Sequence, residues 1–173
     1  MVDLKKAAVL SECNRYRFQL ERIWDEALPV LPICMLNPSD GDADRDDPTI
    51  RRLTGFAKRY GYGGVIIVNL YALRTPKPGI MWADPDRVTL ENEGWLDAVV
   101  VVAENNGGKL LVAWGDDGDF ESLASRFVDR IRQISHVALV CLGTTAAGNP
   151  RHPAAWGRGR VPDDQPIVPW NIA

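Results

Sequence analysis

The sequence LPICMLNPSD, residues 31–40, decides the fold that we expect for this chain. Its apolar part predicts a buried strand. Asn37-Pro38 ends that strand, because proline lacks the amide proton of a sheet ladder and keeps the preceding residue extended. An acidic segment follows, and Asp47-Pro48 provides a good N-cap and a favourable first residue for a helix. A strand, a polar loop and a helix N-terminus in this order are typical of a site for an anionic or polar ligand.

The rest of the chain alternates between apolar runs and helical patterns. Short apolar runs predict three more strands, at residues 64–68, 109–114 and 137–142. The spacing of apolar residues predicts three helices, at residues 48–60, 89–105 and 120–134. Alternation over residues 15–24 predicts an edge strand that forms a hairpin with residues 30–36. The segments 71–88 and 156–173 are predicted to be largely irregular.

This order of elements predicts a single α/β domain over residues 1–173. Because helices and strands alternate after the hairpin, we expect a three-layer α/β/α fold with a central, mostly parallel sheet and an N-terminal antiparallel edge hairpin. The net charge of −3 argues against avid nonspecific nucleic-acid binding. The three cysteines are far apart in the sequence, and no apolar leader or run of about 18 apolar residues occurs. We therefore expect a cytoplasmic protein without a membrane segment.

Distinctive polar residues follow each predicted strand. The carboxyl ends of parallel strands meet at one edge of a sheet, so these residues are expected to converge there. An alternative stays open, because asparagine and glycine often do no more than end a strand. The residues in question are Asn37-Pro38-Ser39, Asn69 with Tyr71 and Arg74, Trp114-Gly115-Asp116, and Arg151-His152-Pro153.

These motifs resemble two families. Over nearly the full length, the chain is similar to an uncharacterised bacterial family of unknown function. The motifs of that resemblance are MLNPS at 35–39, DDPTIRR at 46–52, VNLYALR at 68–74 and PRHP at 150–153. The order of the shorter motifs also resembles the uracil-DNA glycosylase superfamily, and Asn37-Pro38 is closest to the motif of its mismatch-specific branch.

The second resemblance implies a glycosylase-like fold and a set of roles. Glycosylases cleave the bond between base and sugar after taking the nucleotide out of the base stack. Asn37, within the motif completed by Pro38 and Ser39, would orient a water molecule. His152 would donate a hydrogen bond to the departing base, and Asn69 would read the base edge. The remaining implied contacts are phosphate binding by Arg74 and Arg151 and base stacking by Tyr71 or Trp82.

Two further features bear on the ligand. Arg51 begins the helix at 48–60, where free backbone N–H groups favour a phosphate, although a solvent-facing arginine is as good an interpretation. Ser39 replaces the glycine of the mismatch-specific branch, and the acidic loop 40–47 would repel a DNA backbone. Both departures favour a small nucleotide, a modified base or another non-duplex substrate.

Three functions therefore remain as hypotheses. The first is an enzyme that acts on the N-glycosidic bond of DNA or a nucleotide, with no metal or other cofactor. The second is a binding module that recognises a nucleotide or modified base without cleaving it. The third is a metal-dependent phosphohydrolase built on the aspartates of residues 40–47, although their spacing does not match a calcium loop.

Overall fold

The computed structural model describes residues 4–39 and 41–171. Within these residues the chain forms seven strands and four helices. The strands are β1 (Lys5–Leu10), β2 (Arg17–Ile23), β3 (Val30–Met35), β4 (Gly64–Asn69), β5 (Lys109–Val112), β6 (Ala138–Cys141) and β7 (Val168–Pro169). The helices are α1 (Pro48–Arg59), α2 (Pro78–Ala83), α3 (Leu90–Asn105) and α4 (Leu123–Ile134).

All seven strands belong to one sheet, in the order β1-β2-β4-β3-β5-β6-β7. The four central strands, β4, β3, β5 and β6, are parallel to one another. The outer strands β1, β2 and β7 pair antiparallel. This arrangement confirms the prediction of a mixed α/β fold with a mostly parallel central sheet.

The predicted pairing of the first hairpin is wrong. Strand β2 pairs with β1 and β4, and β4 lies between β2 and β3. The edge hairpin therefore consists of β1 and β2. The connection after β2 is bonded to the residue before β4, because Trp24 and Asp25 both donate their backbone N–H to the carbonyl of Gly63. A Cβ atom at Gly63 would lie 1.9 Å from the carbonyl oxygen of Asp25, so this close approach requires glycine.

Helices cover both faces of the sheet. On one face, the α1 residues Ile50, Leu53 and Phe56 pack with Ile33 of β3 and its neighbours. On the other face, buried residues of α3 and α4 pack on the alternate residues of the same strands, which include Cys34 and Val68. The three layers follow from this alternation, because successive strand residues point to opposite faces.

The predicted helices agree closely with the observed ones except at the start of α4. Helix α1 begins as predicted, since the Asp47 carboxylate accepts a hydrogen bond from the Ile50 N–H at 2.8 Å. Helix α4 begins only at Leu123, because a 3-10 turn occupies Asp116–Ser122. Helix α2 and strand β7 lie in segments that were predicted to be irregular. No helix in residues 4–39 and 41–171 combines the length and apolar character needed to cross a membrane.

Candidate functional site

A cavity of about 330 Å³ lies at the carboxyl edge of the parallel strands. After β3 the chain passes through α1 to β4 on one side, and after β4 it crosses to β5 on the other side of β3. Ligand sites in open α/β sheets form where the connections diverge in this way. The polar residues that line the cavity are Arg17, Asn37, Ser39, Asp47, Thr49, Asn69, Thr75, Asp116, Asp117 and His152.

The side chain of Asn37 is fixed by backbone carbonyls. Its Nδ2 donates to the carbonyl oxygen of Thr75 at 2.8 Å and to that of Pro38 at 3.1 Å. The Thr75 N–H in turn donates to the Pro38 carbonyl at 2.9 Å. Since both amide protons are used in this way, Asn37 offers a ligand its oxygen, which is a hydrogen-bond acceptor.

Asn69 is the last residue of β4 and is only 1% exposed. Neither Oδ1 nor Nδ2 of its side chain has a hydrogen-bond partner among the described residues. Leaving such a group unsatisfied costs about 1–3 kcal/mol. Its backbone is held firmly, because Asn92 donates its Nδ2 protons to the carbonyls of Asn69 at 2.9 Å and Leu70 at 3.0 Å. Asn69 thus places an unused donor and an unused acceptor at the cavity wall.

The imidazole of His152 has a defined tautomer. The Ala154 N–H donates to its Nδ1 at 3.2 Å, so the proton of the neutral ring is on Nε2. Burial lowers the pKa of His152 below its ordinary value of 6.5, and the negative charge of Asp47 opposes this shift. At neutral pH the ring is therefore uncharged and carries an N–H donor.

Arg17 supplies a buried cation that the sequence analysis did not identify. Its side chain is almost fully buried, and Nη1 donates to the Gly41 carbonyl at 2.5 Å. Burial lowers the pKa of Arg17 to about 10, while the charge of Asp47 raises it. The guanidinium still carries its charge at neutral pH. Arg22 of the same strand is equally buried, so the pattern of charged residues along β2 does not show which arginine reaches a cavity.

Asp47 connects the cavity to α1. One carboxylate oxygen accepts the capping hydrogen bond from the Ile50 N–H, and the other accepts a hydrogen bond from the Ser39 hydroxyl. The charge of Asp47 acts on both Arg17 and His152. The motif at residues 37–39 and the start of α1 therefore form one hydrogen-bonded wall.

The aromatic residues that were predicted to stack on a base lie elsewhere. Tyr71 is fully buried in the core, 5.4 Å from the ring of Trp82 in an edge-on contact, and neither residue lines the cavity. The chain bends at residues 70–71, which carries Tyr71 away from the face of Asn69. Trp114 lines the cavity instead. Its ring packs edge-on against Trp170, with 5.4 Å between the ring centroids.

The arginines that were predicted to hold phosphates also lie outside the cavity lining. Arg74 donates to the carbonyl of Asn14, Arg151 to that of Thr144, and Arg51 to that of Asp46. Pro38 is buried and serves the site through its carbonyl, which accepts hydrogen bonds from Asn37 and Thr75. The structure thus brings Asn37, Ser39, Asn69 and His152 to one cavity, and it separates them from the other predicted contact residues.

The acidic loop has structural partners. Asp42 accepts hydrogen bonds from the N–H groups of Asp44 and Arg45, and Asp46 forms an ion pair with the buried Arg22 at 2.7 Å. Asp40 lies outside the described residues. In the part of the chain that the structure describes, no group of three or more histidine, cysteine, aspartate or glutamate side chains is arranged to hold a metal ion.

The fold and the cavity together define an α/β protein with a polar cavity at the carboxyl edge of a mainly parallel sheet. The chain belongs to the DUF1643 family, which is described as a family of proteins of unknown function, and the match covers residues 17–154. Comparisons with curated proteins and with solved structures give no match.

Proposed function

We propose that this protein hydrolyses the N-glycosidic bond of a nucleotide outside a DNA duplex, using a glycosylase-like site. The observation that carries the proposal is the convergence of Asn37, Asn69 and His152 on one cavity. These residues lie at or beyond the ends of three different strands. Strand packing alone does not require two amides and an imidazole to meet. The cavity volume is within the range of small-molecule sites, which begins at about 300 Å³.

The geometry supports a division of roles within this proposal. The amide of Asn69 forms hydrogen bonds with the edge of the base, and the ring of Trp114 lies against the face of the base. The oxygen of Asn37 orients a water molecule toward the anomeric carbon. As water adds there, the base leaves with the bonding electron pair, and His152 donates an Nε2–H hydrogen bond to the developing anion. The proton lost by the water passes to solvent or to the departed base.

The charges at the cavity favour a ligand that is not duplex DNA. Asp47, Asp116 and Asp117 line the cavity, and Arg17 is the counter-charge on its described walls. A closely spaced double row of phosphates would be repelled by these carboxylates. A positively charged sugar ring, as in the transition state of glycoside cleavage, would be favoured by the same charges.

A second candidate function is binding without hydrolysis. Asp47 is the cavity carboxylate that is hydrogen-bonded to the motif of Asn37, which makes it the candidate general base. Both of its oxygens already accept hydrogen bonds, from Ile50 and Ser39. Water activation would then depend on the amide of Asn37, which orients water without taking its proton. This observation favours a module that recognises a nucleotide and leaves it intact.

The two functions differ in the product. The purified protein is incubated with deoxynucleoside monophosphates and single-stranded oligonucleotides that contain uracil, thymine or modified bases, and released base is measured by chromatography. Hydrolysis predicts base release that is lost in Asn37→Ala and His152→Ala and kept in His136→Ala, since His136 is exposed and outside the cavity. Stabilisation by the nucleotide without release supports the binding module. If the panel gives no base release and no stabilisation by nucleotides, both functions are contradicted.

A further inference from the structure

One exposed aromatic residue lies beside the segment that carries His152. Trp156 is 92% exposed, the largest exposure among the exposed large hydrophobic side chains of the described residues. The chain from His152 to Trp156 is compact, since the Ala155 N–H donates to the His152 carbonyl at 3.0 Å. The indole of Trp156 is therefore presented to solvent a few residues from the cavity wall.

Arginines lie on both sides of this tryptophan in the sequence. Residues 151–160 contain three arginines and no acidic residue. A 3-10 turn at Gly157–Gly159 follows Trp156, with Arg158 and Arg160 exposed. Buried Val161 then anchors the chain to α1, because its carbonyl accepts a hydrogen bond from Arg52 at 2.5 Å.

The anchored segment and α1 both place arginines at the rims of two neighbouring hollows. Arg160 and Arg59 border one shallow hollow, and Arg51, Arg52 and Arg59 border the next. We call the exposed members, Arg51, Arg59, Arg158 and Arg160, the arginine face. Asp163, which pairs with Arg52 at 3.0 Å, and Asp164 border the same hollows, and Arg51 donates to the backbone carbonyl of Asp46. In a chain with a net charge of −3, this face is a local concentration of positive charge.

The arginine face adjoins the cavity through the first turn of α1. Thr49 and Ile50 line the cavity, whereas Pro48 and Arg51 border the outer hollow. At the other end, the Trp156 segment continues directly from His152 of the cavity wall. The arginine face and the Trp156 segment therefore each reach the wall of the cavity, the first through α1 and the second through His152.

We propose that Trp156 and the arginine face bind single-stranded nucleic acid. An exposed indole gives one unpaired base a stacking surface, and a line of guanidinium groups follows the phosphates, which is how single strands are bound without sequence preference. Paired bases in a duplex do not offer their faces to an indole. The binding surface stands on its own observations, and it rests on the proposed function only for the further step in which the next nucleotide enters the cavity.

The test is fluorescence anisotropy with a labelled single-stranded oligothymidylate of 12 nucleotides. We expect Trp156→Ala to weaken binding by about five-fold or more, which is the usual effect of removing one stacking platform. Leu90→Ala is the matched control, because Leu90 is 91% exposed and begins α3 on the opposite face of the sheet from α1. It should leave the affinity unchanged.

The arginines are tested by the salt dependence of the same binding. Each phosphate contact contributes about 0.7 to the slope of log affinity against log salt for single strands. The double variant Arg158→Gln/Arg160→Gln should lower this slope by about 1.4, whereas Arg126→Gln/Arg132→Gln on the exposed surface of α4 should not. Thermal unfolding of each variant confirms that the fold is intact.

The outcomes separate this proposal from the proposed function. Absence of oligothymidylate binding, equal loss in Trp156→Ala and Leu90→Ala, or equally tight binding of duplex DNA or polyglutamate would overturn the single-strand surface. Oligothymidylate binding that depends on Trp156 supports it, even where no base is released. Base release from a free nucleotide without oligonucleotide binding would leave the proposed function standing and overturn the surface.

Discussion

Two buried asparagines, Asn69 and Asn92, allow the same substitution to be made with opposite expected results. Asn and Leu have equal numbers of non-hydrogen atoms, so Asn→Leu changes polarity with little change in volume. In Asn69→Leu the change removes two polar atoms that have no partner in the described structure. In Asn92→Leu it removes two hydrogen bonds, to the carbonyls of Asn69 and Leu70, together with Oδ1, which has no partner in the described structure.

The expected magnitudes follow from these contacts. Asn69→Leu relieves the cost of an unsatisfied amide, and after a small packing loss we expect a gain of about 1–2 kcal/mol in the free energy of unfolding. Asn92→Leu should lose about 1–3 kcal/mol, because two buried carbonyls lose their donors and removal of the unpartnered Oδ1 offsets only part of that cost. For a domain of this size, 1 kcal/mol corresponds to a change in Tm of about 2–4 °C.

Urea unfolding and thermal unfolding measure both variants, and nucleotide-dependent stabilisation is measured in parallel. We expect Asn69→Leu to be more stable than the wild type and to have lost its response to nucleotides. A loss of stability in Asn69→Leu as large as that in Asn92→Leu would show that its amide is satisfied within the folded protein. The reasoning that reserves Asn69 for a ligand would then be refuted.

Three further predictions concern the other walls of the cavity. Because burial lowers the pKa of His152 below 6.5, the unfolded state binds more protons as the pH falls through and below that value. Wild-type Tm should therefore fall more steeply between pH 7 and 5 than that of His152→Gln. Asp47→Asn keeps the helix cap but removes the charge that raises the pKa of His152, so NMR titration should show a still lower pKa. Gly118→Ala should impair nucleotide stabilisation, because its Cβ would lie 1.9 Å from the ring of Trp114, with a ring shift visible in near-UV circular dichroism.

The elements that could be predicted from the sequence are those determined by local chemistry. Helix α1 begins where Asp47 caps it and Pro48 fits its first turn, and α3 has a similar cap from Thr89 to the Asn92 N–H. The buried parallel strands were evident from runs of β-branched and apolar residues. Convergence of Asn37, Asn69 and His152 followed from the rule that parallel strands end at one edge.

The features that were missed depend on contacts between distant parts of the chain. The alternation of β2 predicts a strand but not its neighbour, and hydrogen bonds to Gly63 place it beside β4. Arg17 and Arg22 look alike in sequence, yet only Arg17 lines the cavity. Tyr71 and Trp114 both follow strand ends, and a bend of the backbone decides which ring reaches the site.

The outermost strands have a practical consequence for truncated versions of this protein. The family match covers residues 17–154, but β1 and β7 both lie beyond it and both belong to the sheet. A fragment cut to the matched range would expose the backbone of β2 as a new edge, which invites pairing with other molecules and aggregation. It would also lose Trp170, whose indole supports Trp114 and donates to the Gly148 carbonyl at 3.0 Å. Expression of that fragment would therefore test a damaged site, and assays should use the whole chain.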